Sequence, residues 1–237
     1  MDLSAATIAR IDAALAPIER GPEIEITERW ISSLPPALLH IWSSHGLVTL
    51  AGGRLRLVDP ALFRPFLSYL TEGDVDLHGD THAIALGNMG ELAVWSERYG
   101  FGLLTWPIPS LQMTYMMDRS PPPSEDQIVT ELLNMPAEVL DVWDANGDPM
   151  HDRIAAKLGP IERWEIYGAT PTPARPLEVP VEDYVVADAI EWLEAHYTQM
   201  TTQLVDWLRP GSPILRAVGR PWPEGAARPP LAEEVRP

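Results

Sequence analysis

The run Asp74-x-Asp76-x-His78-x-Asp80-x-His82 sets three carboxylates and two imidazoles on alternate residues. Imidazole and carboxylate together suit zinc, iron or nickel. In extended backbone, however, His78 and His82 stand roughly 13 Å apart, at about 3.3 Å per residue, so one ion reaches both only if Gly79 folds the chain back. The plainer reading is an acidic loop leading into a strand, and no metal is expected there. The stretch Asp144-Ala-Asn146-Gly147-Asp148 has the composition of a calcium loop. With Gly147 in the sixth position, though, the first falls on Val142 and the twelfth on Arg153, where calcium needs carboxylates. It reads instead as an Asn-Gly turn, with Asp148 capping the helix that follows. His40, His151 and His196 fall in expected helices without a His or Cys three or four residues on, which assigns them to packing or to the surface. Ser43-Ser44-His45 puts hydroxyl and imidazole side by side, but adjacency in sequence is not the geometry of a nucleophile and its base. There is no P-loop, GxGxxG, GxSxG or HExxH. The expectation is a protein that is not an enzyme, with no catalytic residues, no cofactor and no metal.

Composition narrows the partners. The 237 residues carry 34 acids against 17 bases, a net charge of −17. Binding DNA or RNA needs clustered cations, so nucleic acid is excluded as a partner. The acids are unevenly placed: residues 121–208 hold seventeen acids and four bases, whereas 209–237 hold three acids and five arginines. A field of that sign steers basic partners toward the protein. Without cysteine there are no disulfides, thiolate metal sites or cysteine nucleophiles. No stretch nears the ~18 consecutive apolar residues of a membrane span. The opening MDLSAATIARIDAAL lacks the basic-then-apolar layout of a secretory signal, and a cytoplasmic location is expected.

The elements that must position these residues follow from periodicity. Ile8, Ile11, Leu15 and Ile18 predict a first helix, with Ser4 or Asp2 as its cap. Thr27–Ser44 predicts a second helical region broken at Leu34-Pro35-Pro36 and stopped by Gly46. Leu47–Leu50 and Leu55–Leu57 predict a hairpin, and Asp59-Pro60 opens a helix through Leu70. His82–Leu86, Glu91–Ser96, Phe101–Trp106 and Leu111–Met116 are strand candidates joined by short turns, which argues an antiparallel meander. Ser120-Pro-Pro-Pro-Ser124 is a candidate domain boundary. Beyond it, helices are expected at Ile128–Leu133, at Pro149–Leu158 and, as one long helix, from Val181 to Leu208, with a strand at Ile161–Tyr167. The tail holds prolines at 210, 213, 221, 223, 229, 230 and 237, which predicts extended or disordered chain. Within it Trp222 is an unexpected free indole that could dock onto something.

Three motifs then carry a resemblance. Leu34-Pro-Pro-Ala-Leu-Leu-x-x-Trp42-x-x-His-Gly46, Leu57-Val-Asp-Pro60 and Ala83-Ile-Ala-x-Gly-x-Met-Gly-Glu-Leu-x-Val-Trp95-Ser-Glu-Arg98 resemble the GAD-like (GAD-related) domain. Downstream, Asp144-Ala-Asn-Gly-x-Pro-Met-x-Asp-Arg153, Lys157-Leu-Gly-Pro160 and Glu165-Ile-Tyr-Gly168 resemble the C-terminal domain that accompanies it. That pairing is found in immunity proteins of type VI secretion DNase effectors. Two departures stand out: Ala169-Thr-Pro-Thr-Pro173 replaces a Phe-x-Pro-Ala-Leu-like segment, and the tail after 209 has no counterpart. The motifs have a structural character, so no catalytic residue carries over.

The expected fold is α+β: an antiparallel β-meander sheet flanked by helices, followed by a helix-rich C-terminal part. The expected divisions are a GAD-like α+β domain over 1–119, a helix-rich domain over 120–208, and a Pro-rich tail over 209–237. The resemblance implies an immunity, or antitoxin-like, protein that neutralises a cognate secreted DNase effector. The alternative is a regulatory or scaffold module without a toxin partner. Acidity agrees with the first, because a nuclease inhibitor must meet a basic cleft. The acids expected to make that contact are Asp74, Asp76 and Asp80, on a polar loop projecting from the sheet.

Overall fold

The computed structural model describes residues 3–106, 108–114, 128–170, 179–206 and 210–219. The Ser120–Ser124 boundary, Trp222 and residues 220–237 lie outside them. Helix α1 (Ala5–Leu15) begins as the sequence predicts, the Ser4 hydroxyl accepting the Thr7 N–H at 3.1 Å. The prolines split the next helical region into α2 (Glu28–Ser33) and α3 (Pro36–His45). Gly46 ends α3 at φ +71°, and a Cβ there would lie 2.4 Å from the Gly21 carbonyl oxygen, so only glycine fits. Strands β1 (Thr49–Leu50) and β2 (Leu55–Leu57) form the expected hairpin. Helix α4 (Pro60–Leu70) is capped by Asp59, whose carboxylate accepts the Ala61 N–H at 2.8 Å.

The meander follows: β3 (Thr81–Gly87), β4 (Leu92–Ser96), β5 (Gly100–Thr105) and β6 (Ser110–Met113), each antiparallel to the one before. Helices cover both faces, so these strands are buried almost throughout. In β4, Leu92 and Val94 enter one core while Ala93 and Trp95 enter the other. In β3 the register shifts between Ala83 and Ala85, and the neighbours Ile84 and Ala85 share a face. A bulge of this kind is how a period of two is broken without losing the strand. α1, α2 and α3 pack on one side together with Ile128, Val129, Leu132 and Leu140, and α4 with the C-terminal half from Val142 onward packs on the other.

The C-terminal half departs from expectation. Among the described residues the long helix over 181–208 does not form, and there is no clear helix-rich part. Instead a 3₁₀ turn (Val181–Asp183) leads into β8 (Tyr184–Asp188), which pairs antiparallel with β7 (Glu165–Ala169). The β-branched pair Val185-Val186 favours the pleated ladder, and pairing with Gly168 and Tyr167 settles it. Asp188 then caps a shorter helix through the Glu191 N–H at 3.0 Å. Residues 128–133 form a π-helical turn, and His151–Leu158 is the helix we call α5, with Ala189–Tyr197 as α6. Strand β9 (Gln203–Val205) lies parallel to β6, and β10 (Ile214–Ala217) lies antiparallel to β9. Among the described residues the main sheet is therefore eight-stranded and mostly antiparallel, in the order β1 to β6, then β9 and β10. Its last strand comes from the segment expected to be tail. Among the described residues no helix is long and apolar enough to cross a membrane.

Candidate functional site

The three loop acids are engaged within the chain. Arg216, on β10, forms an ion pair with Asp74 through both guanidinium nitrogens, and Asp74 also accepts the N–H groups of Asp76, Leu77 and Gly219. The Asp74 side chain is 1% exposed and does not project toward a partner. Burial alone would raise its pKa, but the Arg216 and Gly219 bonds outweigh burial and hold it below the usual carboxylate value. Asp76 is 3.1 Å from Arg216 and accepts the Tyr99 hydroxyl at 3.0 Å; over a third of its side chain meets water. Asp80 accepts the Ser96 hydroxyl, whose oxygen receives the Arg98 and Tyr99 N–H groups of the β4–β5 turn. His82 is buried edge-on to Trp30, and burial followed by Arg29 keeps it below the ordinary imidazole pKa. The loop thus buttresses β10 through Arg216 and the β4–β5 turn through Ser96.

Other acids lie on the C-terminal half. Asp144 closes the 144–148 turn by accepting the N–H groups of Asn146 (2.9 Å) and Asp148 (3.0 Å), and it pairs with Arg153 at 2.6 Å. Asp148 does not cap α5; Asp141 does, accepting the N–H groups of Met150 (3.0 Å) and His151 (2.8 Å). The turn, the start of α5 and the strip Val179–Glu182 enclose a groove of about 410 Å³, with Asp144, Arg153 and Glu182 at its edge. Asp148, Asp152, Asp183 and Asp188 are exposed on the same C-terminal half. So are Trp143 (46%), Val185 and Val186. Exposed apolar groups within a field of one sign are the makings of a protein-binding surface.

A buried polar seam joins this half to the first. Arg54 reaches Asp141 (2.7 Å) and Asp152 (2.9 Å), and Arg56 reaches the carbonyls of Glu162 (2.6 Å) and Arg163 (3.0 Å). Asn88 donates to the Gly53 carbonyl at 3.1 Å, and its amide lies 3.2 Å from His151 Nε2. Trp192 lies so close to Gly168 that a Cβ there would approach its ring nitrogen to 2.4 Å, while that nitrogen donates to the Ala169 carbonyl. Glu91 is fully buried, and among the described residues its Oε2 has no hydrogen-bond partner. Burial pushes its carboxyl up to about 7, with its own N–H and that of Met89 opposing.

One grouping escaped the sequence reading. His40 Nε2 and His45 Nε2 both approach Asp12 Oδ1, at 3.0 and 2.9 Å. The two imidazoles are five residues apart at the end of α3 and the carboxylate is on another helix, so a search at three- and four-residue spacing passes over them.

A family model matches residues 8–106. Those residues form a GAD-like domain. The GAD-like domain therefore covers α1 to β5 and ends as β5 gives way to β6. No curated protein matches the chain. Among solved structures, the crystal structure of Atu4351 from Agrobacterium tumefaciens superposes with a TM-score of 0.76 at 21% identity, covering 87% of this chain and 97% of that one. At that identity the likeness establishes the fold, and it extends well beyond the GAD-like domain.

Proposed function

We propose that the protein is a cytoplasmic immunity protein that binds and neutralises a cognate DNase effector of a type VI secretion system, acting by occlusion and not by catalysis. The GAD-like domain and the downstream motifs support the family context. The observation that carries the reading is the acidic C-terminal half, which exposes Asp148, Asp152, Asp183 and Asp188 together with Trp143 and holds the groove beside α5 lined by Asp144 and Glu182. A nuclease cleft is lined with cations that hold phosphates, and an acidic surface answers it in charge.

On this reading contact runs through the groove face, because the carboxylate of Asp74 is already spent on Arg216. The test is a search beside this protein's gene for one encoding a secreted effector, then co-purification with its product and association kinetics with its nuclease domain. Replacing Asp148 and Asp183 together by Lys should slow association about tenfold at low salt and flatten its salt dependence. If Asp76→Asn with Asp80→Asn slows association and the Asp148 and Asp183 changes do not, the loop makes the contact. Absence of any complex with the adjacent effector would favour a scaffold module instead.

A further inference from the structure

We propose that Asp12, His40 and His45 bind one borderline divalent transition-metal ion, zinc foremost, which ties α1 to the C-terminal end of α3. The ligand atoms of the three side chains all lie within 4.8 Å of one another, and among the described residues no other group of three histidines and carboxylates gathers so closely. Both imidazoles present Nε2, the two rings standing at 77° to each other with centroids 6.4 Å apart, so their nitrogens meet at the carboxylate without the rings stacking. Two imidazoles and one carboxylate form a donor set that suits zinc and its neighbours and discriminates against calcium and magnesium, which prefer oxygen ligands throughout.

The distances are close to what an ion requires. Bonds of about 2.0–2.2 Å in tetrahedral array place ligand atoms about 3.3 Å apart. The two nitrogen–oxygen separations of 3.0 and 2.9 Å need to open by only a few tenths of an ångström. Small side-chain rotations supply that, since the imidazoles are 20% and 21% exposed and the Asp12 side chain is 47% exposed. The same exposure leaves room for water as the fourth ligand. The backbone is fixed on both sides: Ile11 and Leu15 bury α1, while Ile41 and Trp42 bury α3. The three donors are therefore preorganised, and binding costs little in ordering.

The experiment uses the full chain without a histidine tag, stripped by chelator and then titrated with zinc chloride in a calorimeter and with cobalt(II) chloride by visible absorption. The expected result is one equivalent of zinc, the intense visible bands of tetrahedral cobalt, and a higher thermal midpoint for the zinc-loaded protein. His40→Gln and His45→Gln should each weaken binding about tenfold or more, since even an outer-shell partner is worth that much. Asp12→Asn, which keeps the shape of the side chain, should weaken it as well, and His78→Gln should leave it unchanged. The thermal midpoint of each variant in chelator shows that the fold persists. Absence of stoichiometric binding, or binding that the His40, His45 and Asp12 variants leave intact, would overturn the proposal.

Discussion

Glu91 is the residue whose chemistry is most at odds with its surroundings. Its carboxyl is buried beneath the seam, where burial raises its pKa from 4.5 to about 7. The folded protein therefore keeps this proton over a pH range in which the unfolded chain has lost it. Stability from Glu91 is fully present below pH 4.5 and is lost as pH rises toward 7. Because the sequence pI is about 4.6, solubility confines a practical test to higher pH. Between pH 5.5 and 8 the unfolding free energy should fall by about 2 kcal/mol more in the wild type than in Glu91→Gln, measured by urea denaturation. Equal slopes for the two proteins would mean that Glu91 stays ionised throughout. Gln retains a carbonyl oxygen for the Met89 and Glu91 N–H groups but cannot ionise, so the comparison isolates the charge.

At the scale of elements, the join between β10 and the 74–80 loop rests on Arg216. Replacing it by Met leaves the Asp74 carboxylate buried without its cation. That should cost about 2–3 kcal/mol, somewhat less than for a fully buried pair, because about a third of Arg216 meets water. Asp74 is held below its usual pKa, so the pair's contribution is present above pH ~4 and disappears as pH falls. Hydrogen exchange should show β9 and β10 opening more readily in Arg216→Met while β3 and β4 keep their protection. Uniform loss of protection across the sheet would contradict that local role. These joins also mark how far the sequence could be read. Strands β3 to β6 were legible because their turns are short and local, as were Ser4 and Asp59 as caps. Strands β8 to β10 were not: Tyr184, Leu193, Tyr197 and Leu204 fall at helical spacing, and only pairing with distant partners makes strands of the outer ones. Nor does any local pattern disclose that Asp141 caps a helix starting ten residues later, that Arg216 meets Asp74, or that Asp12 lies beneath two imidazoles.

Across the whole molecule, the acid surplus and the eight-stranded sheet serve one reading. The two halves share their cores and are bolted together by Arg54, Arg56 and Asn88, so the groove face is presented on a rigid body. A rigid acidic surface favours fast, salt-sensitive capture of a basic partner, with little lost to ordering on contact. The most direct measurement is a titration of the proposed effector's nuclease domain with this protein, following cleavage of a plasmid. The account predicts that cleavage stops at one equivalent, and that Asp148→Lys with Asp183→Lys demands a large excess at the same concentrations. Undiminished cleavage with the wild-type protein in excess would contradict it.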